Sequence, residues 1–151
     1  MDLAARLAAP LPPQAREVLI SGVTLRSSDA RPGDLFTALP GAHTHGIRFA
    51  VAAVDAGAVA VLTDADGAAG MTSEDTVVPV LVVADPRAVL GEVSAAVYGD
   101  PSAALSVLGV TGTNGKTTTS YLLEAALAAA GHPAGLIGTI ETRMRTPSGV
   151  V

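Results

Sequence analysis

Residues Gly109 to Thr119, reading GVTGTNGKTTT, constrain this chain more than any other stretch. A short apolar run, Leu105 to Val110, leads into them, and an alanine- and leucine-rich segment with helical spacing follows. Strand, glycine-rich turn and helix, in that order, are the setting in which a phosphate-binding loop forms. Glycines let successive N–H groups turn inward, and the start of the helix adds its positive end. Lys116 then reaches toward the terminal phosphates as a point charge, and Thr117 offers a hydroxyl where magnesium would sit. The general pattern G-x-x-x-x-G-K-[ST] would place a glycine at Val110; the glycines fall instead at Gly109 and Gly112, leaving the shorter form G-T-N-G-K-T. The bland alternative is an ordinary strand-to-helix turn carrying a surface lysine. Against it, Lys116 is the sole lysine of the chain, every other long basic side chain being arginine. Arginine serves at most exposed sites, whereas a phosphate loop uses the compact ammonium. The implied ligand is a nucleoside triphosphate with Mg2+.

Composition narrows the remaining classes. Hydrophobic residues are 49% of 151 but aromatics only 3%, so any core is built from Val, Leu, Ile and Ala. The net charge of −5 and scattered arginines argue against a nucleic-acid partner, which needs a basic face and stacking aromatics. Absence of cysteine excludes disulfides, thiolate metal sites and thiol catalysis. The start of the chain does not read as a signal peptide, since Asp2 precedes a short amphipathic run ended by Pro10, Pro12 and Pro13. No apolar run approaches membrane-spanning length. A cytoplasmic, monomeric protein acting on a small-molecule substrate, with no membrane partner, is the expectation.

Along the chain, strands alternate with helices, which predicts an α/β fold. Met1 to Ala9 reads as a short helix. Val18 to Leu25 reads as strand, kink at Gly22 and strand, and Gly33 to Leu39 as a second strand. Ala42 to Gly46 is a polar loop. Ile47 to Ala56 has helical spacing, with Ile47, Val51 and Val54 on one face. Ala58 to Leu62 and Pro79 to Ala84 read as buried strands, and Thr63 to Thr76 as an exposed loop. Asp85-Pro86 marks a helix start, with aspartate as cap and proline in the first turn. Val89, Leu90, Val93 and Val97 line its inner face, and Gly99 ends it. The predicted organisation is an N-terminal α/β domain over 1–98, a linker over 99–104 and, over 105–151, a single βαβ unit of an incomplete phosphate-loop domain. That unit runs from strand 105–110 through a helix, Lys116 to Ala130, to a strand from Ala134 to Thr139. One βαβ unit cannot cover both faces of a parallel sheet, so the chain reads as the front part of a longer protein.

The loop G-T-N-G-K-T resembles the ATP-binding loop of the Mur ligase family of peptidoglycan synthesis. VTLRSSDARPGDLFTALPG, from Val23, is similar to the N-terminal domain of that family's MurE-type branch, with its L-x-S element and following G-D-L-F strand. Gly99-Asp100-Pro101-Ser102 and GLIGTIETR, from Gly135, fit the same branch. The resemblance covers essentially the whole chain from about Val18. It implies a UDP-binding N-terminal domain, with Leu25 and Ser27 against the uridine and Ala42, His43 and Thr44 at the UDP group. It places ATP on Gly112, Thr113, Asn114, Gly115, Lys116, Thr117 and Thr118, with Lys116 catalytic and Thr117 on magnesium. Arg26 stands where many relatives carry aspartate. His43 and His45 read as solvated loop residues rather than metal ligands, with no carboxylate or cysteine at ligand spacing beside them.

The implied activity is ATP-dependent amide ligation in cell-wall synthesis, adding a diamino acid to UDP-N-acetylmuramoyl-L-alanyl-D-glutamate through an acyl phosphate. Diaminopimelate is favoured over lysine on family prevalence, and the 151 residues alone are expected to be inactive. The rival readings are a non-catalytic UDP-sugar-binding module, a MurF-type ligase and a folylpolyglutamate synthetase. Leu25-x-Ser27 and Thr113-Asn114 stand against the MurF type. The UDP-like first domain and Thr117-Thr118-Thr119 stand against the last.

Overall fold

The computed structural model describes residues 18–71, 77–146 and 149–150. The helix expected over Met1 to Ala9 lies outside them. The chain divides into two compact units, one ending at Leu105 and one beginning at Ser106.

The first unit is a four-stranded parallel sheet in sequential order: β1 (Gly22–Thr24), β2 (Asp34–Thr37), β3 (Ala60–Thr63) and β4 (Val80–Val82). The register pairs Val23 with Leu35, Leu35 with Ala60 and Val61 with Val80. Because successive strand side chains point to opposite faces, the sheet buries two clusters. Phe36, Ala38 and Val61 pack with Ala50, Ala53 and Ala58 in one. Leu35, Ala60, Leu62 and Leu81 pack with Val93 in the other. Covering helices on both faces are what an all-parallel sheet requires, and here they are α1 (Ala50–Asp55) and α3 (Pro86–Tyr98).

Three local expectations shift. The first helix opens with a 3-10 turn, Gly46–Phe49, which winds at three residues per turn and rotates the inner face. Ala50 and Ala53 are therefore buried, while Val51 is 44% exposed. The stretch expected as loop from Thr63 holds a short helix, α2 (Ala65–Ala69), capped by Asp64 accepting from the Gly67 N–H. Gly22 opens β1 rather than kinking it, and Val18 to Ser21 before it form no strand.

The second unit departs further. Leu105 to Val110 forms no strand, and the expected βαβ unit is replaced by helix α4 (Lys116–Ala129) and an antiparallel sheet. That sheet is β5 (Ala134–Ile137), β6 (Thr142–Thr146) and β7 (Gly149–Val150). β5 pairs with β6 in a hairpin, so no parallel partner lies against the 105–110 segment among the described residues. An apolar run becomes a strand only when a neighbour takes up its backbone groups. Glu124 is the buried residue of α4.

Candidate functional site

The loop before α4 is turned, not straight. Gly112 has φ +150 and Gly115 φ +78, and the left-handed Gly115 is the residue from which α4 starts. A β-branched residue would be strained at Gly115. No side chain caps α4, so the first N–H groups of the helix are not taken up by a capping side chain. The Lys116 ammonium folds back across the loop and donates to the Gly112 carbonyl and, at 3.4 Å, to that of Thr113. Gly112 to Thr118 are all exposed. This donor set fits a polyphosphate: helix-start N–H groups without a capping side chain, one exposed ammonium and the Thr117 hydroxyl beside them.

Behind the loop, α4 is fastened to the hairpin by ionic contacts. Arg143 Nε donates to Glu124 Oε1 at 2.9 Å, and its Nη2 donates to Glu124 Oε2 in a two-pronged pair. Arg143 Nη1 donates to Glu141 Oε1 at 2.8 Å, and the Tyr121 hydroxyl donates to the same oxygen. The guanidinium also lies 4.5 Å from the centre of the Tyr121 ring. Arg143 holds the Glu124 carboxyl below its ordinary range. The bond to Glu141 pushes the Tyr121 hydroxyl up. The spacing of Tyr121 and Glu124 on one helix was visible in the sequence, but nothing local tied either to Arg143.

In the first unit a cavity of about 660 Å³ opens at β1, lined by Ser21 to Arg26, Asp29, Arg31, Pro32, Asp34 and Tyr98. Leu25 is on its wall. Ser27 begins the adjacent 3-10 turn, Ser27–Asp29, and is not part of the lining. Ala42, His43 and Thr44 sit on the exposed loop after β2 and are likewise not part of it. Arg31 and Tyr98 escaped the sequence reading, and Asp34 entered it only as part of the G-D-L-F strand. The available signal was composition: a chain with two tyrosines gives each one weight.

His45 is not the solvated residue expected. Its Nδ1 accepts from the Ile47 N–H at 3.0 Å and its Nε2 lies 3.0 Å from Asp64 Oδ1. The Gly67 N–H bond, and secondarily His45, draw the Asp64 carboxyl below its ordinary value. The role is structural, joining the turn before α1 to the cap of α2. Among the described residues no group of three or more His, Cys, Asp or Glu could hold a metal ion, and no helix is long and apolar enough to cross a membrane.

Residues 19–98 match the family described as Mur ligase family, catalytic domain, and residues 110–150 match the Mur ligase middle domain. The chain belongs to the Mur ligase family. It is 48% identical over 143 residues to UDP-N-acetylmuramoyl-L-alanyl-D-glutamate–2,6-diaminopimelate ligase of Streptomyces avermitilis, covering 95% of this chain and 27% of that one. It is also similar to the MurF ligase of Acinetobacter baumannii, with TM-score 0.64 and 27% identity over 84% of this chain and 26% of that one. The MurF ligase of Thermotoga maritima in complex with ADP matches with TM-score 0.55 and 25% identity, over 75% of this chain and 24% of that one. The chain thus spans about a quarter of the length of the relatives it matches.

Proposed function

We propose that this chain is the front part of an ATP-dependent ligase that joins a diamino acid, diaminopimelate, to UDP-N-acetylmuramoyl-L-alanyl-D-glutamate. The observation that carries the reading is the turned loop from Gly112 to Thr117, with its uncapped helix start and its ammonium laid across the mouth. The Streptomyces relative, a ligase named for that substrate, supports the substrate, and the ADP complex of the Thermotoga ligase supports the nucleotide. Leu25 and the cavity at β1 would take the uridine diphosphate part, with Ser27 at its rim and Ala42, His43 and Thr44 on the loop beyond.

The N–H groups from Gly112 to Thr118 would bind the triphosphate and orient it, while Lys116 neutralises charge at its end. Thr117 would offer its hydroxyl to magnesium. ATP, when bound, supplies the phosphoryl group that activates a substrate carboxylate for attack by the amine. Ligation by the whole protein also needs the remainder of its length.

Lys116→Ala in the full-length enzyme should abolish ADP release measured with UDP-muramoyl-dipeptide and diaminopimelate; undiminished turnover would remove Lys116 from this role. The 151 residues alone should show no ADP formation dependent on both substrates. Calorimetry of the chain with ATP and with UDP separates this reading from a bare UDP-sugar-binding module, which would take UDP alone.

A further inference from the structure

The cavity at β1 is lined by the stretch Ser21 to Arg26, which contains that strand, and main chain at a sheet edge is held only by what packs beside it. Among the described residues β1 has β2 on one side and no strand on the other. The Val23 N–H, two residues before Leu25, donates to the Tyr98 hydroxyl at 3.1 Å across 75 positions of sequence. Tyr98 also lines the cavity, as the one aromatic side chain there among the described residues. The approach is close: a Cβ added to Gly22 would stand 2.2 Å from Asp34 Oδ1 and 3.6 Å from the Tyr98 hydroxyl. Asp34 is itself fixed, its Oδ2 accepting from the Arg31 N–H at 2.9 Å.

Tyr98 is held on a rigid support. It is the last residue of α3, whose Val93 and Ala96 are buried and whose start is capped by Asp85. The helix stops at once after it, because Gly99 and Asp100 are both left-handed, with φ 78 and 53. The Asp100 N–H closes back on the Ala95 carbonyl at 2.7 Å. A left-handed aspartate costs energy that a free helix end would avoid. Here it sets the place where the tyrosine leaves the helix.

We infer that Tyr98 is a positioning residue for the nucleotide cavity: its hydroxyl holds the β1 main chain through the Val23 N–H and so sets Thr24, Leu25 and Arg26 for the uridine diphosphate group. This rests on the reading of that cavity given above. A hydroxyl that only filled space would be replaced by phenylalanine without consequence. One that sets the wall shows itself in affinity for the ligand of that wall and nowhere else.

The test uses the 151-residue chain, with UDP as the probe. In Tyr98→Phe, exchange of the Val23 amide should quicken and UDP affinity by calorimetry should fall about fivefold, the scale of one hydrogen bond. Thermal melting and ATP affinity should stay as in the parent chain. Tyr98→Leu, which also removes the ring, should lose more UDP affinity than Tyr98→Phe. Parent-like UDP affinity in Tyr98→Phe would overturn the inference, as would a loss of UDP and ATP affinity in step with a lower melting temperature. A parent chain that binds no UDP would instead overturn the reading of the cavity.

Discussion

The two long helices, α3 and α4, are nearly equal in length, 13 and 14 residues, yet they begin in opposite ways. α3 closes its own N-terminus. Asp85 Oδ1 accepts from the Arg87 and Ala88 N–H groups, and Pro86 in the first turn has no N–H to satisfy. α4 starts from a left-handed glycine with no capping side chain, and the nearest charge is a cation rather than a carboxylate. Both starts carry the same positive end of a helix dipole. One is met by a carboxylate of the chain itself, and the other has no capping side chain and no acidic residue in its first turn. The way each helix is anchored follows the same division. α3 buries Val93 and Ala96, with Val93 set into an aliphatic cluster, whereas the buried residue of α4 is Glu124, paired with Arg143. The helix packed into the aliphatic core is capped; the other is open at its start and held by directional polar contacts.

Four changes would break or sharpen this contrast. Gly115→Val forces a β-branched residue into left-handed backbone at the open start, and should weaken ATP binding by about tenfold or more in calorimetry, with UDP binding unchanged. Retained ATP affinity would show that the turn is not what holds the nucleotide. Glu124→Gln leaves the Arg143 guanidinium without its buried counter-charge. Circular dichroism should show α4 melting several degrees lower, while the first unit keeps its transition. Asp85→Ala removes the cap of α3 and should cost about 1 kcal/mol in denaturant unfolding without touching ATP affinity. If the ATP affinity also moved, the two helix starts would not be the independent features described.

The smallest effect is in acid. Glu124 and Asp64 both have carboxyl groups drawn below their ordinary values, the first chiefly by Arg143 and the second chiefly by the Gly67 N–H. For a depressed carboxyl the stabilisation is complete above the unfolded value, near 4 as a typical figure. It is lost as pH falls through the lower folded value. Melting followed downward from pH 6 should therefore hold steady and then decline below about pH 4. Glu124→Gln should flatten that decline for α4. At the other end Tyr121, raised by Glu141, contributes stability that is present below its ordinary value and fades as pH rises through its higher folded value.

Much of the local structure around the candidate site was legible because its signals are local. Asp85-Pro86 announced a helix start and Gly99 its end, and both are where the structure has them. Lys116 opens α4 as expected, since a glycine turn followed by helix-forming residues needs no distant partner to declare itself. Features that depend on distant partners were not legible. The apolar 105–110 run has strand composition but no ladder neighbour among the described residues, while Ala134–Ile137 pairs antiparallel with Thr142–Thr146. The inner face of α1 moved from Val51 to Ala50 and Ala53 because a 3-10 turn ahead of it changed the winding.

By itself, then, the sequence determined the elements whose causes lie within a few residues: caps, stops, the glycine turn before α4 and the alternation that makes the fold α/β. Tertiary structure alone decided which strands pair, that Arg143 finds Glu124, that His45 braces Asp64, and that Tyr98 reaches Val23 across the sheet edge. The physical reason is range. Backbone conformation and capping are set by neighbours along the chain, whereas a hydrogen bond or an ion pair between distant residues exists only once the packed elements bring its two ends within about 3 Å.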